Sequence, residues 1–187
     1  MKKTPVTIAA MLFFATVALS QNNLVYADLM AKGLISYETY FAGPAVGFES
    51  VLKNKTTIGV KTGLLFSSKG YDAAGFLLLK ERLLVVQPEI KFYTKEAHQG
   101  FFWGVHASYH SYDQKLKDER DDTVTRAMAT EIRNSFFGFG ADLGFATAIN
   151  DRLTFGISGS VDLLPSISIF EDGDIGIGLD ARIGYRF

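Results

Sequence analysis

Apolar residues alternate with glycine and charged residues through most of the chain. In DIGIGLDARIGYRF, one parity holds Ile175, Ile177, Leu179, Ala181, Ile183, Tyr185 and Phe187. The other holds Gly176, Gly178, Asp180, Arg182, Gly184 and Arg186. A period of two is a strand signature, because successive side chains point to opposite faces. TTIGVKTGLLFS sets Ile58, Val60, Thr62, Leu64 and Phe66 against Gly59, Lys61 and Gly63. LLVVQPEIKFYT sets Leu84, Val86, Pro88, Ile90 and Phe92 against Val85, Gln87, Glu89, Lys91 and Tyr93. GFFWGVHASYHSY sets Phe101, Trp103, Val105, Ala107 and Tyr109 against Phe102, Gly104, His106, Ser108, His110 and Tyr112. SFFGFGADLGFATAI separates Phe137, Phe139, Ala141, Leu143 and Phe145 from Gly138, Gly140, Asp142 and Gly144. RLTFGISGSVDLL separates Leu153, Phe155, Ile157, Val161 and Leu163 from Thr154, Gly156, Ser158, Ser160 and Asp162.

Upstream, GPAVGFESVL is a strand with Val46, Phe48 and Leu52 on the apolar face and Gly47 and Glu49 opposite. LMAKGLISYETYF is taken as the first strand, with ambiguous faces. The total is eight strands, each near the roughly 10 residues a tilted strand needs to cross a bilayer. Short connections fall at 53–55, 95–99 and 150–152, and long ones at 67–82, 113–133 and 165–174, with 38–44 a shorter exception. Short turns at one end and long loops at the other are the pattern of a membrane barrel, periplasmic turns against extracellular loops. An even strand number then puts both termini in the periplasm.

The front of the chain changes the compartment. In MKKTPVTIAAMLFFATVALSQNN, Lys2 and Lys3 precede an apolar stretch from Val6 to Leu19, and Ala18 and Ser20 offer a small-residue cleavage site. This reads as a secretory signal peptide over 1–20, followed by a barrel domain over 21–187. A retained membrane anchor is the alternative, but the apolar stretch is short for a helical span. Outside it, no apolar run reaches the roughly 18 residues of a membrane helix. A chain of this kind meets a bilayer only as a closed barrel, since helices and closed barrels alone satisfy their backbone in lipid.

Composition removes other classes. There is no cysteine, so thiol chemistry and disulfides are excluded. The net charge is −1, or about −3 once Lys2 and Lys3 are removed with the signal. No basic stripe marks a nucleic-acid surface. Aromatic residues form two bands: Phe92, Phe101, Trp103, Tyr185 and Phe187 toward the short turns, and Phe66, Tyr109 and Phe137 toward the long loops. Two such girdles mark the two interfaces of a bilayer. The expected fold is all-β, an antiparallel eight-stranded transmembrane up-and-down barrel. A soluble lipocalin-like barrel is the alternative, but it would line its cup with the apolar set and turn the charges to water.

With these strands, and most of all the terminal one ending in Phe187, the chain resembles the small eight-stranded outer-membrane barrels, OmpX and the transmembrane domain of OmpA. The resemblance covers 21–187. It implies a bacterial outer-membrane location and contact with lipid and lipopolysaccharide. It also implies an end signal in the last strand, Tyr185 and Phe187, read by the barrel assembly machinery. No nucleic-acid partner and a monomeric state are expected.

The charges on the inner parity are Glu49, Lys61, Glu89, Lys91, His106, His110, Asp142, Asp162, Asp180, Arg182 and Arg186. An eight-stranded interior is about filled by its side chains, and buried charges must pair. The expectation is therefore an ionic plug, with no catalytic, cofactor-binding or metal residues, and function carried by the loops. The alternative is a lipid-modifying hydrolase resembling the membrane-embedded lipid A deacylases. It would be built on a Glu89–His106–Ser108 grouping within one hairpin. Parity turns that grouping inward, away from a lipid substrate. The loop DQKLKDERDDTVTRAMATEIR carries both charge signs and reads as a solvated hairpin extension. Asp118, Asp121 and Asp122 in it lack the ordered spacing of a calcium loop. EDGD at 171–174 reads as a turn.

Overall fold

The computed structural model describes residues 23–34, 39–71, 77–118, 131–164 and 174–187. The signal segment, Asp121, Asp122 and residues 171–173 lie outside the described residues. Eight antiparallel strands follow one another around a closed barrel: β1 (Asn23–Leu34), β2 (Thr39–Lys53), β3 (Thr56–Tyr71), β4 (Leu77–Tyr93), β5 (Gly100–Asp118), β6 (Glu131–Ala148), β7 (Leu153–Leu164) and β8 (Asp174–Arg186). β1 closes onto β8 from Leu24↔Arg186 to Leu34↔Gly176. The seam is finished by the Asn23 N–H donating to the Phe187 carbonyl (3.1 Å) and the Phe187 N–H donating to the Asn23 carbonyl (3.0 Å). Closure leaves no unpaired edge, which lipid would not tolerate.

The faces follow parity. On β8 the exposed residues are Ile175, Ile177, Leu179, Ala181, Ile183 and Tyr185, while Gly178, Asp180 and Arg182 are buried. Phe101, Phe137, Phe139 and Leu143 are more than half exposed on the outside. The aromatic bands are real contacts between strands. Phe92 stacks on Trp103 at 4.3 Å and Phe101 meets Phe145 at 5.1 Å near the turn end, while Tyr109 meets Phe137 at 5.2 Å nearer the loops.

Two boundaries differ from the sequence reading. The first strand does not span 29–41. β1 starts at Asn23, and residues 39–41 already belong to β2. Residues 39–44 of the expected 38–44 connection therefore belong to β2, with Gly43-Pro44 inside it, while residue 38 lies outside the described residues. A Cβ at Gly43 would sit 2.2 Å from the Leu64 carbonyl oxygen, so the glycine permits close approach of β3 rather than a turn. Two of the three long connections, those expected at 67–82 and 113–133, are also shorter than expected. β3 runs to Tyr71, β4 starts at Leu77, β5 runs to Asp118 and β6 starts at Glu131. Ladder pairing continues where the side chains turn polar, so polarity marks where a hairpin leaves the apolar zone, not where it ends.

The three short turns lie at one end. In the turn at 149–152, Asn150 Oδ1 accepts from the Arg152 N–H (2.9 Å) and the Leu153 N–H (2.7 Å), an Asx turn. In the turn at 94–99, His98 takes φ 65° and Gly100 φ 86°. The left-handed region tolerates histidine better than most side chains. Here it swings the His98 ring into the barrel mouth, where it is 1% exposed.

Candidate functional site: a layered ionic lumen

The inward side chains stack in layers from the turn end to the loop end. Nearest the turns, Glu49 on β2 is the hub. Lys91 Nζ donates to its Oε1 at 2.7 Å, and Arg182 Nη1 donates to the same oxygen. Tyr93 Oη donates to Oε2 at 2.9 Å, and His98 Nδ1 lies 3.1 Å from that atom. Lys91 also reaches Glu89, which accepts from Tyr26 Oη at 3.0 Å. The two cations lie between two rings. Arg182 is 5.2 Å from the centroids of both Tyr26 and Phe102, and Lys91 lies 5.7 and 5.4 Å from them. Cation–π contact is strongest where water is excluded.

Glycine makes this filling possible. Tyr26 faces Gly47 across β1–β2, where a Cβ would come within 2.1 Å of the Tyr26 ring. The interior glycines are thus volume left for a neighbour, not loose backbone.

In the next layer, Lys61 on β3 donates to Asp180 Oδ2 on β8 at 2.7 Å, with Asp28 Oδ2 on β1 at 4.0 Å. Beyond it, His106 is bracketed by two carboxylates. Its Nδ1 lies 2.7 Å from Asp142 Oδ2 and its Nε2 lies 2.8 Å from Asp162 Oδ1. Lys32 Nζ donates to Asp162 Oδ2 at 3.0 Å. An ionised carboxylate only accepts and a neutral imidazole carries one N–H. Both contacts are therefore hydrogen bonds only when the His106 ring holds two protons.

Toward the loop end the lumen turns apolar. Met30, Leu34, Phe41, Leu65, Leu83, Val85, Phe136 and Leu164 form one buried cluster. His110 stacks on Phe136 at 4.8 Å. The expectation of an ionic plug did not include this layer. Its signal was present as consecutive apolar residues, Leu64-Leu65, Leu83-Leu84-Val85, Phe136-Phe137 and Leu163-Leu164, which put oil on both faces at the same height.

The inner charges read from sequence are brought together, with corrections. Glu89 faces His106 in the β4–β5 register, but its side chain turns to Lys91 and Tyr26, and His106 turns to Asp142 and Asp162. Ser108 Oγ bonds His110 Nε2 at 2.9 Å rather than His106. The Glu89–His106–Ser108 grouping is not formed. Arg186 is a rim residue, half-buried, with Nη2 3.5 Å from the Asn150 carbonyl. Tyr26 and Asp28 are luminal residues that the misplaced first strand left out, Lys32 is one whose face was ambiguous, and His98 enters from a turn, where parity gives no signal. Among the described residues no cluster of three or more acidic or histidine side chains is arranged to hold a metal ion.

An apolar outside, an ionic inside and full closure define the class as an eight-stranded β-barrel of the outer-membrane type. The chain belongs to the family described as "Protein of unknown function (DUF3575)", whose model matches residues 9–162. No curated protein matches the sequence. Among solved structures, the barrel is similar to Ail, the attachment invasion locus protein of Yersinia pestis (11% identity, TM-score 0.59, covering 90% of this chain and 100% of that one). It is also similar to Neisserial surface protein A (9% identity, TM-score 0.59, covering 89% and 96%). A major outer membrane protein from Thermus thermophilus matches as well (14% identity, TM-score 0.59, covering 88% and 99%). At these identities the likeness is one of fold.

Proposed function

We propose that this chain is an integral protein of a bacterial outer membrane that acts at the cell surface through its loop-end connections, the lumen serving as a sealed ionic plug and not as a pore or an active site. The observation that carries this reading is the lumen itself. Its charged layers are buried and tied by ion pairs, and an apolar layer lies between them and the loop end, so among the described residues no open passage or cleft of ligand size is offered there. The hairpins that rise beyond the apolar belt, above all β5–β6, are the remaining place for recognition, since exposed connections commonly carry binding. Ail, the attachment invasion locus protein, is a barrel of similar fold that has also been crystallised with the heparin analogue sucrose octasulfate. The chain acts without catalysis, with lipid and lipopolysaccharide around it. It is delivered by a signal over 1–20 and assembled through the β8 exterior ending in Phe187, with the termini periplasmic.

The test replaces residues 119–130 with a short turn. Membrane fractionation and a heat-modifiability gel should show an unchanged folded barrel, while adhesion of expressing cells to host-cell or glycan-coated surfaces should fall to that of the strain without the protein. Adhesion unaffected by the replacement contradicts a role for that loop. A lipid A acyl pattern that changes on expression and depends on Ser108 would replace this reading with an enzymatic one.

A further inference from the structure

The buried charges do not cancel. Below the apolar layer, the described lumen holds the carboxyl groups of Asp28, Glu49, Glu89, Asp142, Asp162 and Asp180 against the cations Lys32, Lys61, Lys91 and Arg182. Glu81 lies loopward of that layer and bonds Tyr112 at the mouth. Hydrogen-bond counting makes His106 a fifth cation. His98 meets Glu49 through Nδ1 alone and His110 meets Ser108 through Nε2 alone, with the other ring nitrogen of each unpartnered among the described residues, so their contacts call for no second ring proton. One carboxyl group is left without a counter-charge. An unpaired buried anion costs so much that the group neutralises instead.

The contacts show which group it is. Glu49 holds Lys91 and Arg182; Glu89 holds Lys91 and Tyr26; Asp142 and Asp162 hold His106; Asp180 holds Lys61 at 2.7 Å. Asp28 has only Lys61, at 4.0 Å and already committed to Asp180. Asp28 Oδ1 has no hydrogen-bond partner among the described residues, and neither has Asp180 Oδ1. Asp28 is 6% exposed and Asp180 7%, so bulk water does not solvate them. The charged groups that act on Asp28 are Asp180 and Arg182 from β8, Lys61 from β3 and Lys91 from β4. Of the four, Lys91 and Arg182 are both bound to Glu49. Two carboxyl groups sharing one ammonium do not both stay ionised.

We infer that Asp28 is a proton-binding site of the lumen, held as the neutral carboxylic acid beside the Lys61–Asp180 pair. The ligand is a single proton. It makes the lumen below the apolar layer electrically neutral without a metal ion and without a further cationic side chain.

Infrared spectroscopy of the full chain folded in detergent micelles tests this at mildly acidic pH, about 5 to 6, above the ordinary carboxylate range. Ionised surface carboxylates are then silent in the carbonyl region of the protonated acid. The wild type should show a protonated-carboxyl band that shifts in heavy water and is lost in Asp28→Asn. Absence of the band in the wild type overturns the inference, as does its persistence in Asp28→Asn. Urea unfolding gives a second readout. Asp28→Asn mimics the neutral acid, so its midpoint should equal the wild type's, whereas Asp180→Asn, which strips Lys61 of its partner, should lower it. An equal loss in both variants overturns the inference and makes Asp28 a required anion.

Discussion

Lys32 on β1 and Asp162 on β7 stand 130 positions apart in the chain and 3.0 Å apart in the lumen, joined by an ion pair that only barrel closure can bring together. β8 lies between their two strands, so the pair spans the seam where β1 meets β8. It is buried on both sides, at 3% and 1% side-chain exposure. Removing one partner of such a pair strands the other charge and costs about 3–5 kcal/mol. Lys32→Met should lose that amount in urea unfolding from micelles. The double variant with Asp162→Leu should lose less than the sum of the two single variants. Additive losses would mean that the contact is energetically idle.

Glycine on the inner wall should be intolerant, and glycine on the outer wall indifferent. A Cβ at Gly140 would meet His106 Nε2 at 2.4 Å and the Val161 carbonyl oxygen at 2.5 Å. The carbonyl is backbone and cannot swing away. Gly140→Ala should cost about 1–3 kcal/mol, the usual range for overpacking, and displace His106 from Asp162. Outward-facing Gly159 has nothing closer than 3.8 Å, and Gly159→Ala should be neutral. Equal unfolding midpoints for the two variants would count against the packed lumen.

Most of this architecture could be read from the chain because β3 to β8, within the apolar zone, keep most of their glycines and ions on one parity, with Gly159 on β7 an exception. β1 could not, for a physical reason. Its inward set is Leu24, Tyr26, Asp28, Met30, Lys32 and Leu34, and its outward set is Val25, Ala27, Leu29, Ala31 and Gly33. Both faces carry apolar residues, so the period of two disappears, and with it went three luminal residues. The side-chain pairings were also illegible. Register places Glu89 opposite His106, but which way a long side chain leans is decided by partners from strands far away in sequence, here Asp162 and Tyr26. Nothing in the alternation distinguishes an inward turn residue such as His98 from a solvated one.

A charge on the outer face should block insertion. Val105 is 47% exposed and Ile177 50% exposed on that face. Arginine at either position near the midplane should cost about 2–4 kcal/mol. The folded, heat-modifiable band of Val105→Arg and Ile177→Arg should shrink in membrane fractions. Full tolerance of both would reverse the inside-out assignment.

The lumen should conduct poorly. Wild-type protein in planar bilayers should give no large stable current steps. Thinning the apolar layer by Leu83→Ala with Phe136→Ala removes two fully inward side chains, at 0% and 2% exposure, and should raise the frequency of small openings. Large steps in the wild type would rule out a sealed barrel.

The most direct test uses Trp103, the chain's one tryptophan, which projects outward from β5 with 52% exposure and stacks on Phe92. In vesicles made with acyl-brominated lipid, its fluorescence should be strongly quenched, while aqueous iodide should leave it nearly unchanged. Bromine on the acyl chains reports contact with hydrocarbon and iodide reports contact with water. Quenching by iodide with indifference to brominated lipid would show that the apolar face does not lie in a membrane, and the account would fail at its base.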